Sequence, residues 1–459
     1  MRKTKKIFLG MTVMSMMMSM AMPMSMPTTS IVGTKTVSAE VVAQGRCGDQ
    51  VDYQYDSKTA TLTITGCGAT WDNYNISIKY EKVKKIVVGN GITTIGSRLF
   101  ENFYGVEEVQ LADTVTTIKQ NAFSYINGTF TIPASVTKLE TNAFNGARKI
   151  VIKGDAKGYE IGAFGGWIPP EGEYWDYDGD DGVIDDICLY GSADDLGKAA
   201  FHVRVDGITI PKENKKCRVE NGLLTSMEGK QLYYNTNYYS YKITIPDSVE
   251  TISSFAFSNA YCSGGEINID KLTFGKNVKT VKDFAFKDVG IGTLKLNKKL
   301  SKIGVKAFFD ASIKKVEFFG KVKMDVAAFE HHTKIVNKKK FKYAQTALDT
   351  ALYAKRKVTI KFAKVSGAKG YEVVMKKGKK TYKITTKKNS FTTAAPKFLK
   401  SGYDVDKKYD ASNNEYLQKV SGAVSVKVRP YQLVKKSKKS KKTKKVYGMW
   451  SKEMTVRHK

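Results

Sequence analysis

The sequence predicts a mainly β protein: a solenoid of short parallel strands with an irregular convex side, preceded by a small N-terminal β cap and followed by a C-terminal β-sandwich. Three observations carry this reading. An Ala-Phe pair or close variant recurs at Leu99-Phe100, Ala122-Phe123, Ala143-Phe144, Ala163-Phe164, Ala200-Phe201, Ala256-Phe257, Ala285-Phe286, Ala307-Phe308 and Ala328-Phe329, and five of the eight Phe-to-Phe steps are 20 to 23 residues. An apolar pair two residues apart runs in phase with it, as in Ile86-x-Val88, Val109-x-Leu111, Ile150-x-Ile152 and Val316-x-Phe318. The charge changes abruptly behind the repeats: of a formal +32 on 459 residues, residues 334–459 hold 36 Lys+Arg against 7 Asp+Glu, a net of +29. Hydrophobic residues make up 42%, which excludes a disordered polycation as a description of the whole.

The N-terminus reads as a secretory signal peptide over 1–39. Arg2, Lys3, Lys5 and Lys6 precede an apolar run over 7–22, and Val37-Ser38-Ala39 places small residues around a cleavage site. A retained anchor is the alternative, although the run is short of the ~20 residues a span needs. No transmembrane segment is expected after cleavage, and the protein is expected to be secreted, with or without association to the cell surface. Export permits disulfides, but Cys47, Cys67, Cys188, Cys217 and Cys262 are odd in number and lack a Cys-x-x-Cys pair. A Cys47–Cys67 bond and buried free thiols are both open.

Residues 40–82 form the β-rich cap and 83–335 the solenoid. Apolar side chains at i and i+2 face one side of a strand. Each repeat therefore reads as a short strand, a proline or polar turn, a second apolar segment such as Val136-x-x-Leu139, and the Ala-Phe coil. One unit cannot bury its own apolar face, so successive units must stack, with Phe filling the core and Ala admitting close backbone approach. The pattern is interrupted by an insertion over 165–198.

Val115-Thr-Thr-Ile118 before Asn121-Ala-Phe123, Ile132-Pro-Ala-Ser-Val136 before Ala143-Phe144, and Ile245-Pro-Asp-Ser-Val249 before Ala256-Phe257 resemble BspA-like leucine-rich repeats. The resemblance covers roughly 45–329. It implies a leucine-rich-repeat solenoid on a bacterial surface or extracellular protein, used in adhesion or protein recognition.

Residues 356–459 read as a separate basic β-sandwich. Segments 357–363, 371–376, 381–385, 424–428 and 454–456 alternate as short strands around the turn Ser366-Gly-Ala-Lys-Gly370. Tyr371-Glu-Val, Ser425-Val-Lys-Val-Arg-Pro-Tyr431 and Tyr447-Gly-Met-Trp-Ser451 resemble a bacterial fibronectin type III-like domain, with Phe362 where such domains often carry a core Trp.

Two charged runs are the candidate sites. Residues 171–195 contain ten Asp+Glu and no Lys or Arg. Within them Asp176, Asp178, Asp180 and Asp185 are candidate Ca²⁺ ligands, because convergent carboxylates around Gly turns suit a hard cation. A solvated acidic loop is the alternative. The same insertion is the candidate location of a carboxylate pair if the protein is instead a carbohydrate-active enzyme, with Trp167, Tyr174, Trp175 and Tyr177 available to stack on a sugar or to pin the loop. No zinc, nucleophile-elbow, P-loop or dinucleotide motif is present, and the four histidines, His202, His331, His332 and His458, read as surface residues, with His331 and His332 pointing apart.

The basic run Lys435, Lys436, Lys438, Lys439, Lys441, Lys442, Lys444 and Lys445 lies between two predicted strands and is the candidate polyanion-binding element. Residues 334–459 hold 33 Lys and only 3 Arg, which favours diffuse point-charge attraction. With secretion expected, the partners are an extracellular protein or glycan on the solenoid and an anionic cell-wall polymer or glycosaminoglycan on the module. Nucleic acid is not expected, nor is a cofactor other than Ca²⁺ or any enzymatic activity.

Overall fold

The structure is a computed structural model that describes residues 41–165, 183–201, 203–237, 240–257, 261–262, 265–266, 268–399, 423–437 and 440–458. It is a mainly β solenoid of about 11 turns. Strands β1 (Val41–Gly48), β2 (Val51–Asp56) and β3 (Thr61–Gly66) form an antiparallel meander. Its period-two pattern is visible in β2, where Val51, Tyr53 and Tyr55 are buried while Asp52 and Gln54 are exposed. The far edge of β3 pairs in parallel with β4 (Lys85–Val88), so the cap supplies the first repeat with the sheet neighbour it would otherwise lack.

From there the stack is parallel. β4 is followed by β5 (Glu108–Leu111), β6 (Thr129–Ile132), β7 (Lys149–Ile152), β8 (Asp186–Leu189) and β9 (Ile208–Thr209), and the nine strands lie in chain order in one sheet. The register aligns Ile86, Val109, Phe130, Ile150 and Ile187 in one buried column. Within the expected insertion, β8 resumes the stack beside β7, so 183–189 belong to the solenoid. Residues 166–182 lie outside the described set.

The Ala-Phe motif has a direct physical account. The Phe N–H of one turn donates to the Ala carbonyl of the next: Phe100 to Ala122, Phe123 to Ala143, Phe286 to Ala307 and Phe308 to Ala328, at 2.8–3.1 Å. That approach brings one turn's backbone against the next at the Ala position, which suits a small side chain. The rings stack behind it, with Phe286–Phe308 and Phe308–Phe329 centroids 4.9 and 5.0 Å apart and nearly parallel. The residue before every pair except Ala200-Phe201 is left-handed, among them Asn121, Asn142 and Gly162 early, then Phe284, Lys306 and Ala327. Asn and Gly suit that conformation, and the later residues carry a steric cost that the packed turns hold in place.

A hairpin of β10 (Cys217–Glu220), β11 (Leu223–Ser226) and β12 (Gln231–Asn235) separates two repeat blocks. The second block stacks β13 (Lys242–Thr244), β14 (Asn268–Thr273) and β15 (Gly290–Lys295), then β16 (Lys315–Phe318) and β17 (Lys334–Asn337). One apolar core extends from Cys47 to Tyr234, and a second runs through the later repeats into the C-terminal module.

That module is not separate from the solenoid. Its strands are β18 (Leu348–Ala354), β19 (Lys357–Phe362), β20 (Lys364–Val365), β21 (Gly370–Lys377), β22 (Lys380–Thr386), β23 (Ser390–Ala394), β24 (Ser425–Lys435), β25 (Thr443–Tyr447), β26 (Met454–Thr455) and β27 (Arg457–His458). They form two sheets, β23-β19-β18-β27 and β22-β21-β24-β25, while β20 pairs in parallel with β17 as a further rung of the repeat sheet. The first strand begins at Leu348, before the expected boundary at 356. Val358, Phe362, Val373 and Val428 share one core with Phe308 and Phe329.

The Cys47–Cys67 bond is not formed: Cys47 points into the core and Cys67 is exposed, and both are free, as are Cys188 and Cys217. Burial pushes the Cys47 and Cys217 thiols up to about 12, as expected of small apolar core residues.

Candidate functional site

The basic run occupies the tip of the β24–β25 hairpin. Pairing of Tyr431 with Tyr447, Leu433 with Lys445 and Lys435 with Thr443 places Lys435, Lys444 and Lys445 on the strands and Lys436, Lys441 and Lys442 in the connection. All six are exposed, and Lys438 and Lys439 lie outside the described residues. The Lys436 N–H donates to the Lys442 carbonyl at 2.9 Å, so the arm is closed beyond its last ladder pair.

Below the tip, cations and rings interleave across the sheet face. The Lys445 ammonium lies 4.4 Å from the Tyr431 ring, and Tyr431 meets Tyr447 edge-on at 6.0 Å. The Arg429 guanidinium sits between Tyr447 at 3.8 Å and Trp450 at 4.3 Å, with Lys427 over the same indole. Arg429 also donates to Glu372 at 2.9 Å. Each such contact is worth about 0.5–1 kcal/mol at an exposed position. Together they fix the base of the arm.

A second lysine run meets this base. After β17, residues 338–342 read Lys-Lys-Lys-Phe-Lys, and all four lysines are exposed. The Asn337 amide donates to the Gly320 carbonyl at 2.6 Å and its oxygen accepts from the Lys339 N–H, pinning the loop to the last repeat. The short 3-10 turn Phe341–Tyr343 packs against β25. The Met449 N–H donates to the Ala344 carbonyl, and the Gln345 amide donates to the Trp450 carbonyl at 2.6 Å. Two lysine runs a hundred residues apart in sequence therefore share one end of the module.

Elsewhere several lysines are neutralised across rungs. Lys84 pairs with Glu107, Lys85 with Glu108, Lys119 with Asp72, Lys216 with Asp155, Lys276 with Asp247 and Lys279 with Glu250, at 2.6–3.2 Å. Lysine hydrogen bonds hold Asp72, Asp155, Asp247 and Glu250 below the usual carboxylate range. At the junction only Lys338 has such a partner, Glu317 at 3.2 Å, among the described residues.

Of the candidate calcium ligands, Asp176, Asp178 and Asp180 lie outside the described residues, as do Trp167, Tyr174, Trp175 and Tyr177. Asp185 is described, and Arg148 meets both of its oxygens, Nη2 at 2.8 Å and Nε at 3.0 Å. No group of three His, Cys, Asp or Glu among the described residues is placed to hold a metal.

A titratable cluster at the last repeats carries no signal in residue order. His331 and His332 do not point apart, because the chain turns there. Their rings are 5.9 Å apart, His331 Nδ1 lies 2.7 Å from Asp349, and His332 Nε2 lies 3.3 Å from Glu330. Burial, with Asp310, Asp349 and Asp288 nearby, pushes Glu330 up to about 7 from its ordinary 4.5. Lys287 and Lys306 offset part of the charge at Asp310.

Because the folded value exceeds the unfolded one, the stability this carboxyl contributes is fully present below about pH 4.5 and is lost as pH rises through about 7. Glu330→Gln is therefore expected to raise stability at pH 8 by about 2 kcal/mol and to leave it nearly unchanged at pH 4. Chemical denaturation at the two pH values checks this, and equal effects at both would refute it.

Six copies of the family model described as "BspA type Leucine rich repeat region" match residues 75–164 and 228–359. No curated protein matches the chain. Among solved structures, a leucine-rich repeat protein from Eubacterium ventriosum is similar at 20% identity, over 64% of this chain and 78% of that one, with a TM-score of 0.41. The pneumococcal vaccine antigen PcpA is similar at 12% identity, over 65% and 82%, with a TM-score of 0.39. A leucine-rich repeat protein from Bacteroides ovatus is similar at 15%, over 63% and 86%, with a TM-score of 0.21.

Proposed function

We propose that this chain, which carries BspA-type leucine-rich repeats, is a secreted or cell-surface binding protein without enzymatic activity. The solenoid offers an extended face to a protein or glycan, since stacked repeats present long surfaces rather than closed pockets. The basic module attaches the protein to an anionic polymer. We read that module as fibronectin type III-like, and its two sheets, β23-β19-β18-β27 and β22-β21-β24-β25, support a two-sheet sandwich. No helix among the described residues is long and apolar enough to cross a membrane.

The observation that carries the reading is the contrast in charge pairing. Several solenoid lysines, Lys84, Lys119 and Lys279 among them, meet carboxylates of other rungs, whereas the exposed lysines of the β24–β25 arm stand together with no carboxylate partner among the described residues. Such a cluster repels itself, and a polyanion relieves that repulsion while releasing counterions.

Fractionation of the producing cells tests both parts. The protein is expected outside the cytoplasm, held on the surface at ~50 mM salt and released as salt rises past ~200 mM. Cytoplasmic retention overturns export, and resistance to a high-salt wash overturns the electrostatic attachment.

A further inference from the structure

The geometry points to a composite polyanion site at the junction of solenoid and module, in which the 338–342 loop and the β24–β25 arm hold one linear phosphate-bearing polymer between them. This rests on the attachment role proposed above and adds a second, independent element to it. Nothing in the sequence joins the two runs, because the loop closes the last repeat while the arm belongs to the module.

The fold brings them together by contacts that do not use the lysine ammonium groups. Phe341–Tyr343 packs on β25, the strand that carries Lys444 and Lys445, and the Met449 and Gln345 hydrogen bonds lock the same seam. Each run is also stiff where it meets the other. The loop is held by Asn337, and the arm by the Arg429 stack between Tyr447 and Trp450. A ligand engaging both therefore orders little extra chain, and its second contact is made at high effective concentration.

The charge on this surface is uncompensated. Lys339, Lys340, Lys342, Lys435, Lys436, Lys441, Lys442, Lys444 and Lys445 form no ion pair among the described residues. Every one is a lysine, which meets phosphate as a point charge, whereas the nearby Arg429 is committed to Glu372 and two rings. The groups recognised are those of a polymer whose phosphates repeat along an extended chain.

Inorganic polyphosphate is the probe, and three charge-matched variants of the full chain are compared. Lys339→Gln/Lys340→Gln/Lys342→Gln removes the loop charge and Lys441→Gln/Lys442→Gln/Lys444→Gln the arm charge. Lys379→Gln/Lys380→Gln/Lys383→Gln removes equal charge around the β21–β22 turn, at the opposite end of that sheet. Loop and arm variants are each expected to weaken long-chain polyphosphate about ten-fold at ~100 mM salt and to lower the salt slope by about 2. The control is expected to change affinity less than two-fold.

Loss in the arm variant with a wild-type loop variant overturns the composite site and leaves the attachment role standing. Equal loss in all three reduces the effect to net charge and overturns the site as well. Failure of the unmodified protein to bind polyphosphate at low salt overturns both readings. Tighter binding of a sulfated glycan of matched charge overturns the phosphate assignment.

Discussion

Phe308→Ala is expected to destabilise the protein by about 3–5 kcal/mol. The Phe308 ring is buried to about 1% exposure and is stacked on both faces, by Phe286 at 4.9 Å and Phe329 at 5.0 Å. Truncation removes the contact on each side and leaves a cavity that neighbouring turns cannot close. The turns are fixed by the Phe286-to-Ala307 and Phe308-to-Ala328 hydrogen bonds, which the substitution retains.

The damage has a long reach because repeats are coupled to their nearest neighbours. Phe329 and the module share this core, so weakening one interface is expected to separate unfolding of the first block from that of the rest. Denaturation followed by tryptophan fluorescence and by circular dichroism should then give two non-coincident transitions. A loss below about 1 kcal/mol would show that the stack relaxes and that the ring column is not what couples the turns. Tyr125→Ala, at an exposed ring, is the matched control and is expected to cost less than about 0.5 kcal/mol.

Asn214→Leu is expected to cost about 3–4 kcal/mol, by loss of hydrogen bonds rather than of volume. Asn214 is 4% exposed and closes the passage from the first block into the β10–β12 hairpin. Its amide donates to the Leu189 and Gly191 carbonyls at 2.8 and 3.0 Å, and its oxygen accepts from the Lys216 and Cys217 N–H groups at 2.7 and 3.1 Å. Leucine matches the size but leaves these buried groups unsatisfied.

Limited proteolysis should then cut near residues 212–216, a site protected in the unmodified protein. Asn297 makes the same fourfold connection in the second block, to Gly275, Val278, Lys299 and Leu300, so a similar cost is expected there. An Asn214→Leu protein as stable and as protease-resistant as the original would mean that water replaces the amide.

The Ala-Phe spacing and the i, i+2 apolar pairs were sufficient to specify a stacked, mainly β solenoid, because burial of a shared face depends on a period that can be read along the chain. The lysine arm was legible for the same reason: its charge is contiguous, and the alternating residues on either side make it a hairpin.

Other features were hidden because they depend on pairings between distant segments. The left-handed residue before most Ala-Phe pairs varies from Asn to Phe, so composition alone does not mark it. Asp185 looked like part of an acidic loop, yet its orientation is set by Arg148 on the preceding turn. His331 meets Asp349 on β18, and His332 meets Glu330 two residues before it, because the chain turns after Phe329.

Residue order suffices for the repeat architecture and for where the charge lies along the chain, since both can be read position by position. Tertiary structure alone decided which lysines are neutralised and which stand open. Pairing across rungs at about 4.8 Å matches Lys84 and Lys85 to carboxylates one turn away, while the β17–β20 register and the packing of Phe341–Tyr343 on β25 bring two unpaired runs to one seam. Electrostatic interaction depends on distance through space, and only the fold fixes that distance for residues a hundred positions apart.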